Sequence, residues 1–251
     1  MIGLLPRVPA LLLGAGLSLA GHAAELTVSA AASLSSALRD LAPRFEAAHP
    51  GTKLQFNVGA SGALLRQITA GAPVDVFASA DQETMDQAQA QGLIVGAQRR
   101  NIVSNVLVVV TPNASANAPK ALADLTKASY ARIAIGLPAS VPVGRYTKST
   151  LEAAGMWSVI EPKTIRAQTV RQALDYVARA EVDAGFVYAT DAALVRDKVK
   201  IAFAVPTPTP ILYAAAPLAA SPNAALAQQF VEFLVAPQAQ TVLARFGFGK
   251  P

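Results

Sequence analysis

A chain of 251 residues with 53% hydrophobic side chains carries enough apolar material for one large or two modest cores. It has no cysteine, which excludes disulfides, thiolate metal sites, a cysteine nucleophile and a lipid-bearing N-terminal cysteine. Its net charge of +5 is mild, and Lys and Arg are spread over predicted helix faces rather than gathered in a patch interleaved with aromatics, which argues against nucleic-acid binding.

Residues 1–24 read as a secretory leader. Arg7 is the only charge ahead of an apolar run from Val8 to Gly21, closed by the small residues Ala23 and Ala24. That run of about 14 residues falls short of the roughly 20 needed to span a bilayer. Without a lipid tether, a secreted protein stays with the cell only behind an outer membrane, so the expected location is periplasmic.

The pattern then predicts a strand over Glu25–Ala30, a helix over Leu34–Ala48 kinked at Pro43, a strand over Lys53–Val58, a helix over Ala63–Ala70, a buried strand over Val74–Ala78 and a helix over Gln82–Gln91. This is the rhythm of a parallel sheet covered by helices. It restarts with the apolar run Asn105–Pro112 and continues as strand Arg132–Gly136, helix Thr150–Ala154, strand Lys163–Arg166, helix Val170–Arg179 and strand Ala184–Tyr188. Pro206–Pro210 (PTPTP) cannot sit in a central strand and reads as a linker. A strand over Ile211–Ala216 and helices over Asn223–Val235 and Pro237–Phe246 complete the chain. The expected fold class is α/β with two lobes, each a mostly parallel sheet flanked by helices, joined by a two-segment hinge. Residues 25–105 and 212–251 form lobe I, and residues 106–211 form lobe II.

Four turns in this reading set a helix N-terminus against small or hydroxyl residues: Ala30–Ser36 with Ser33, Gly59-Ala60-Ser61-Gly62, Val141-Pro142-Val143-Gly144, and Gln168-Thr169-Val170. Helix N-termini present unpaired N–H groups and a partial positive charge, so each is a potential anion seat. In a doubly wound sheet such turns gather beyond the carboxyl ends of the strands, and two facing lobes bring them around one cleft. Each also has a plain structural reading: Ser33 as no more than a helix cap, Gly59–Gly62 as a tight turn, and Tyr188 as a core aromatic at a strand end. The argument rests on the four together. Charges are sparse, for Arg39 and Arg66 fall about a turn inside their helices, and Arg145 and Arg171 read as solvent-facing. An anion in this cleft is therefore held by neutral donors, each hydrogen bond to the charged group contributing roughly 1.5–3 kcal/mol.

Enzyme readings find less support. Beyond the leader only His49 remains, so a Ser-His-Asp relay needs it beside Ser33 or Ser61. Gly59-Ala60-Ser61-Gly62-Ala63 lacks the second glycine of the G-x-S-x-G elbow, and no phosphate-binding glycine loop follows a predicted strand. Asp75, Asp81, Asp183 and Asp191 are dispersed without metal-ligand spacing.

Five segments, AAASL (Ala30–Leu34), GASGALLRQITAGAPVDVFASAD (Gly59–Asp81), NVLVVVTP (Asn105–Pro112), VPVGRY (Val141–Tyr146) and TVRQALDYVARAEVDAGFVYATDA (Thr169–Ala192), together resemble the periplasmic molybdate-binding proteins of ABC importers over essentially the whole mature chain. The resemblance implies a type II periplasmic binding protein that is a monomer and not an enzyme. It needs no cofactor or protein-coordinated metal, captures molybdate or tungstate as an oxyanion, and passes it to an ABC permease and its ATPase. It also implies that the ligand is held by the hydroxyls and adjacent amides of Ser33 and Ser61, the amides of Val143 and Val170, and the Tyr188 hydroxyl. Val143 stands where similar proteins commonly have alanine, and Leu137 replaces a more usual polar residue. Rival readings are a receptor for another tetrahedral oxyanion such as sulfate or phosphate, and a secreted serine hydrolase. A ligand-sensing regulator of similar architecture would need a DNA-binding helix-turn-helix, where this chain has a leader.

Overall fold

A computed structural model describes residues 24–251. The leader lies outside the described residues except for Ala24, which opens the first strand.

The elements β1 (Ala24–Ala31), α1 (Ser35–Ala48), β2 (Thr52–Gly59), α2 (Ser61–Thr69), β3 (Val76–Ser79), α3 (Gln82–Ala90) and β4 (Arg100–Asn105) belong to one lobe. The other comprises β5 (Leu107–Pro112), β6 (Ile133–Gly136), α4 (Pro142–Ala153), α5 (Trp157–Ile160), β7 (Thr164–Ala167), α6 (Val170–Ala178), β8 (Ala184–Tyr188), α7 (Ala189–Ala192) and β9 (Val199–Val205). The chain then returns to the first lobe with β10 (Ile211–Pro217), α8 (Ala224–Val235) and α9 (Pro237–Arg245).

Each lobe is built on one five-stranded sheet, ordered β2-β1-β3-β10-β4 and β7-β6-β8-β5-β9. The two follow the same scheme. Three parallel strands (β2-β1-β3, β7-β6-β8) are extended by one that runs against them (β10, β5) and an outer one (β4, β9) paired antiparallel to that. The antiparallel strands are those nearest the two places where the chain changes sheet, Val106 and the irregular Pro206–Pro210 segment.

Local sequence explains these elements. In α6 the buried residues Val170, Ala173, Leu174 and Val177 recur at helical spacing, and the Thr169 hydroxyl caps the helix by accepting the Gln172 N–H at 3.1 Å. α1 likewise turns Ala37, Leu38, Leu41 and Phe45 inward. Phe45 meets Phe230 of α8 edge-on at 5.0 Å, so the C-terminal helices are pinned to the first lobe by aromatic burial. Each such fully buried side chain contributes about 1.5–3 kcal/mol. β3, β5, β6 and β8 are buried along their whole length, as expected of strands with helices on both faces.

Some elements differ from the sequence reading. The helix expected only over Thr150–Ala154 begins at Pro142, whose fixed φ and missing N–H suit the first helical position. Its glycine and β-branched residues disguise it, yet Val143, Gly144, Thr147 and Leu151 form its buried stripe. Strands β4 and β9 were not anticipated. β4 (RNIVSN) buries only Ile102 and Val103, and β9 is an outer strand with Ile201 exposed, so neither shows the clear alternation of a half-buried strand.

Candidate functional site

The parallel strands direct four strand-to-helix turns to the same place. β1 runs through Ala31–Ala32 to Ser33, β2 ends at Gly59 and α2 begins at Ser61, β6 ends at Gly136 ahead of α4, and β7 ends at Ala167 ahead of α6. The turn before α4 packs so closely on β6 that a Cβ on Gly144 would lie 2.0 Å from the Gly136 carbonyl oxygen, so only glycine fits there. Ser33, Ser61, Val143, Val170 and Tyr188 all line one small chamber between the lobes.

Among the described residues, the chamber wall carries donors and no charged side chain. Ser61, Val143 and Val170 occupy the first turns of α2, α4 and α6, where a backbone N–H has no intrahelical partner. Ser61 is fully buried, and its Oγ accepts the Ala80 N–H at 3.0 Å, leaving its own proton available. Ser33 Oγ lies 2.9 Å from the Tyr213 hydroxyl. Tyr188 is 1% exposed and its Oη has no hydrogen-bond partner among the described residues. A buried hydroxyl left unpaired costs about 1–3 kcal/mol, so its place in the chamber wall marks a seat for an acceptor. Burial pushes the Tyr188 and Tyr213 hydroxyls well above the usual tyrosine range, so both keep their protons.

Charges surround the chamber without entering it, and two arginines read as solvent-facing are in fact engaged. Arg145 of α4 donates to Asp81 across the lobe boundary, through Nε at 2.8 Å and Nη2 at 2.5 Å, and to Thr84 Oγ1 at 2.6 Å. Its side chain is 18% exposed and that of Asp81 5%. Arg171 of α6 sits 2.5 Å from the fully buried Asp191 and reaches the Ser33 carbonyl at 3.4 Å. Asp191 is raised to about 6, because the cost of burial outweighs the neighbouring guanidinium. A third link across the chamber is the Gly62 N–H donating to the Ser140 carbonyl at 3.0 Å, where a Cβ on Gly62 would be 2.9 Å from the same oxygen. The sequence misled on these arginines because their buried carboxylate partners lie far away along the chain.

His49 does not join the serines. It closes α1, stacks on Phe45 at 4.1 Å and is bonded through Nδ1 to the Phe45 carbonyl, away from the chamber wall. Among the described residues no group of three or more His, Cys, Asp or Glu side chains could hold a metal ion, and no helix is long and apolar enough to cross a membrane.

Residues 26–249 match the family model described as bacterial extracellular solute-binding protein. The chain belongs to that family. This solute-binding protein is 37% identical to the molybdate-binding protein ModA of Escherichia coli, over 94% of its own length and 95% of the relative's. Its structure is similar to the periplasmic molybdate-binding protein of Azotobacter vinelandii, with a TM-score of 0.78 and 25% identity, covering 90% of this chain and 99% of the other. It is also similar to the substrate-binding domain of a putative molybdenum ABC transporter from Clostridium difficile, with a TM-score of 0.69, 33% identity and coverage of 91% and 99%. The expected fold class, two α/β lobes of a periplasmic binding protein, is the one observed. As a member of this family the solute-binding protein is a transport component and not an enzyme.

Proposed function

We propose that this protein is a periplasmic receptor for molybdate, accepting tungstate as well, that closes lobe I (25–105 and 212–251) and lobe II (106–211) around the ion and delivers it as a monomer to an ABC permease and its ATPase. The observation that carries this reading is the chamber itself, where three buried hydroxyls and three helix starts from both lobes surround one small space. Ser33, Ser61 and Tyr188 donate through hydroxyls, and Ser33, Ser61, Val143 and Val170 through backbone N–H groups. Seven such donors, each contributing roughly 1.5–3 kcal/mol to a charged acceptor, offset much of the desolvation of a dianion. The ion is cargo, and no cofactor takes part. The molybdate-binding relatives support the choice among oxyanions. Val143, where similar proteins commonly have alanine, is fully buried in the wall and offers the same backbone N–H.

The test is a thermal-shift panel with molybdate, tungstate, sulfate and phosphate, followed by calorimetry. Ligand at 100 times its Kd adds about 2.7 kcal/mol, a rise of a few degrees in Tm for a chain of this size. Ser33→Ala and Ser61→Ala should each weaken molybdate binding while remaining folded. A shift with sulfate or phosphate and none with molybdate would overturn the assignment.

A further inference from the structure

Both chamber serines already accept one hydrogen bond from the protein, and at Ser33 that bond is imposed from a distance. Asn105, the last residue of β4, accepts the Val106 backbone N–H on its Oδ1 at 2.9 Å. A backbone N–H can only donate, so this bond fixes the orientation of the amide and turns Nδ2 toward Tyr213 Oη at 3.1 Å and Thr190 Oγ1 at 2.9 Å. Tyr213 is fully buried, its ring held edge-on between Tyr188 at 5.8 Å and Phe248 at 5.6 Å. Its oxygen accepts from Asn105, so its single proton goes to the one remaining partner, Ser33 Oγ at 2.9 Å.

We infer that Asn105 and Tyr213 are positioning residues that fix the direction of a hydrogen-bond chain, Asn105 to Tyr213 to Ser33, so that the Ser33 proton is left free for the chamber. The inference rests on the oxyanion-receptor reading. With Ser61 held likewise by the Ala80 N–H, both serines have one lone pair engaged by the protein and keep their protons for the chamber. A fully deprotonated dianion accepts both protons. Asn105 also sits where the chain passes from one sheet to the other, so the residue that orients the donor is anchored at the crossover and bonded to Thr190 of the opposite lobe.

The test reverses the chain. Asn105→Asp keeps the side-chain shape and still accepts the Val106 N–H, but it replaces the donor facing Tyr213 with an acceptor. Tyr213 then donates to the introduced carboxylate, must accept from Ser33, and turns a serine lone pair toward the anion. Calorimetry should show N105D losing about 100-fold in molybdate affinity, the range of a lost hydrogen bond to a charged group together with the repulsion that replaces it. Y213F, which merely frees Ser33, should lose less than about fivefold. The double variant N105D/Y213F keeps the added negative charge but severs the chain, and should recover at least about tenfold over N105D. If the double variant binds as weakly as N105D, with all three folded by circular dichroism, the loss is Coulombic and the inference falls. A wild-type protein that binds no oxyanion overturns the receptor reading and this inference together. Wild-type binding with equal affinities for N105D and Y213F overturns the inference alone.

Discussion

Replacing Arg145 with methionine should speed the release of ligand while leaving its capture nearly unchanged. Arg145 holds Asp81 through two nitrogens and Thr84 through a third contact, and all three bonds run from one lobe to the other. Opening the lobes breaks them and exposes both partners to water, so their net worth counts only toward the closed form. Both side chains are less than a fifth exposed, which takes the pair out of the surface class contributing about 0–1 kcal/mol. Asp81 nevertheless keeps the Ser79 hydroxyl at 3.1 Å and the Thr84 N–H at 3.2 Å when the arginine is removed, so it is not stranded. The loss therefore lies in the range of a single hydrogen bond to a charged group, about 1.5–3 kcal/mol, or roughly 10- to 150-fold in Kd. Stopped-flow measurements should assign that factor to the off-rate, as is usual among variants of one binding surface. An unchanged off-rate, or a loss appearing wholly in the on-rate, would refute the idea that this pair latches the closed form.

Tyr188→Phe should raise the stability of the ligand-free protein by about 1 kcal/mol, because it removes a buried unpaired hydroxyl, while lowering molybdate affinity. Chemical denaturation and calorimetry on the same sample check both signs. The raised Asp191 carboxyl means that the folded chain holds this proton up to about pH 6, whereas the unfolded chain releases it near 3.8. Asp191 thus favours folding below about pH 4, and that contribution is lost as pH rises toward 6, on the order of 3 kcal/mol in all. Denaturation of wild type and Asp191→Asn across pH 4–7 should show the wild type losing ground to the variant with rising pH, and a flat difference would contradict it. Gly144→Ala should unfold the chamber wall or displace α4, given the 2.0 Å approach of its Cβ to the Gly136 carbonyl oxygen, and should appear as a large fall in Tm.

The parts of this fold that sequence reveals are those where one local cause dominates. Apolar runs such as Val108–Val110 and Ala184–Val187 announce buried strands, and Thr169 announces the start of α6 by its cap. The candidate site was legible for a related reason, since helix starts follow parallel strands and parallel strands share one carboxyl edge; all five expected residues line one chamber. What stayed hidden depends on pairs distant in sequence. Nothing near Arg145 points to Asp81, 64 residues earlier, and nothing near Ser33 points to Tyr213, 180 residues later. Tyr213 reads as one more apolar residue of ILYAAA, and Asn105 as the polar edge of an apolar run; only the fold makes them consecutive links.

The division of donors between the lobes has a mechanical consequence. Ser33 and Ser61 stand on one side of the chamber and Val143, Val170 and Tyr188 on the other, so an ion seated as proposed would act as a rivet through two plates. Prising the plates apart by a few ångströms would strip it of about half its bonds in a single motion and flood the rest with water. A transporter that grips both plates can discharge the cargo by spreading them, without offering the ion a stronger grip of its own.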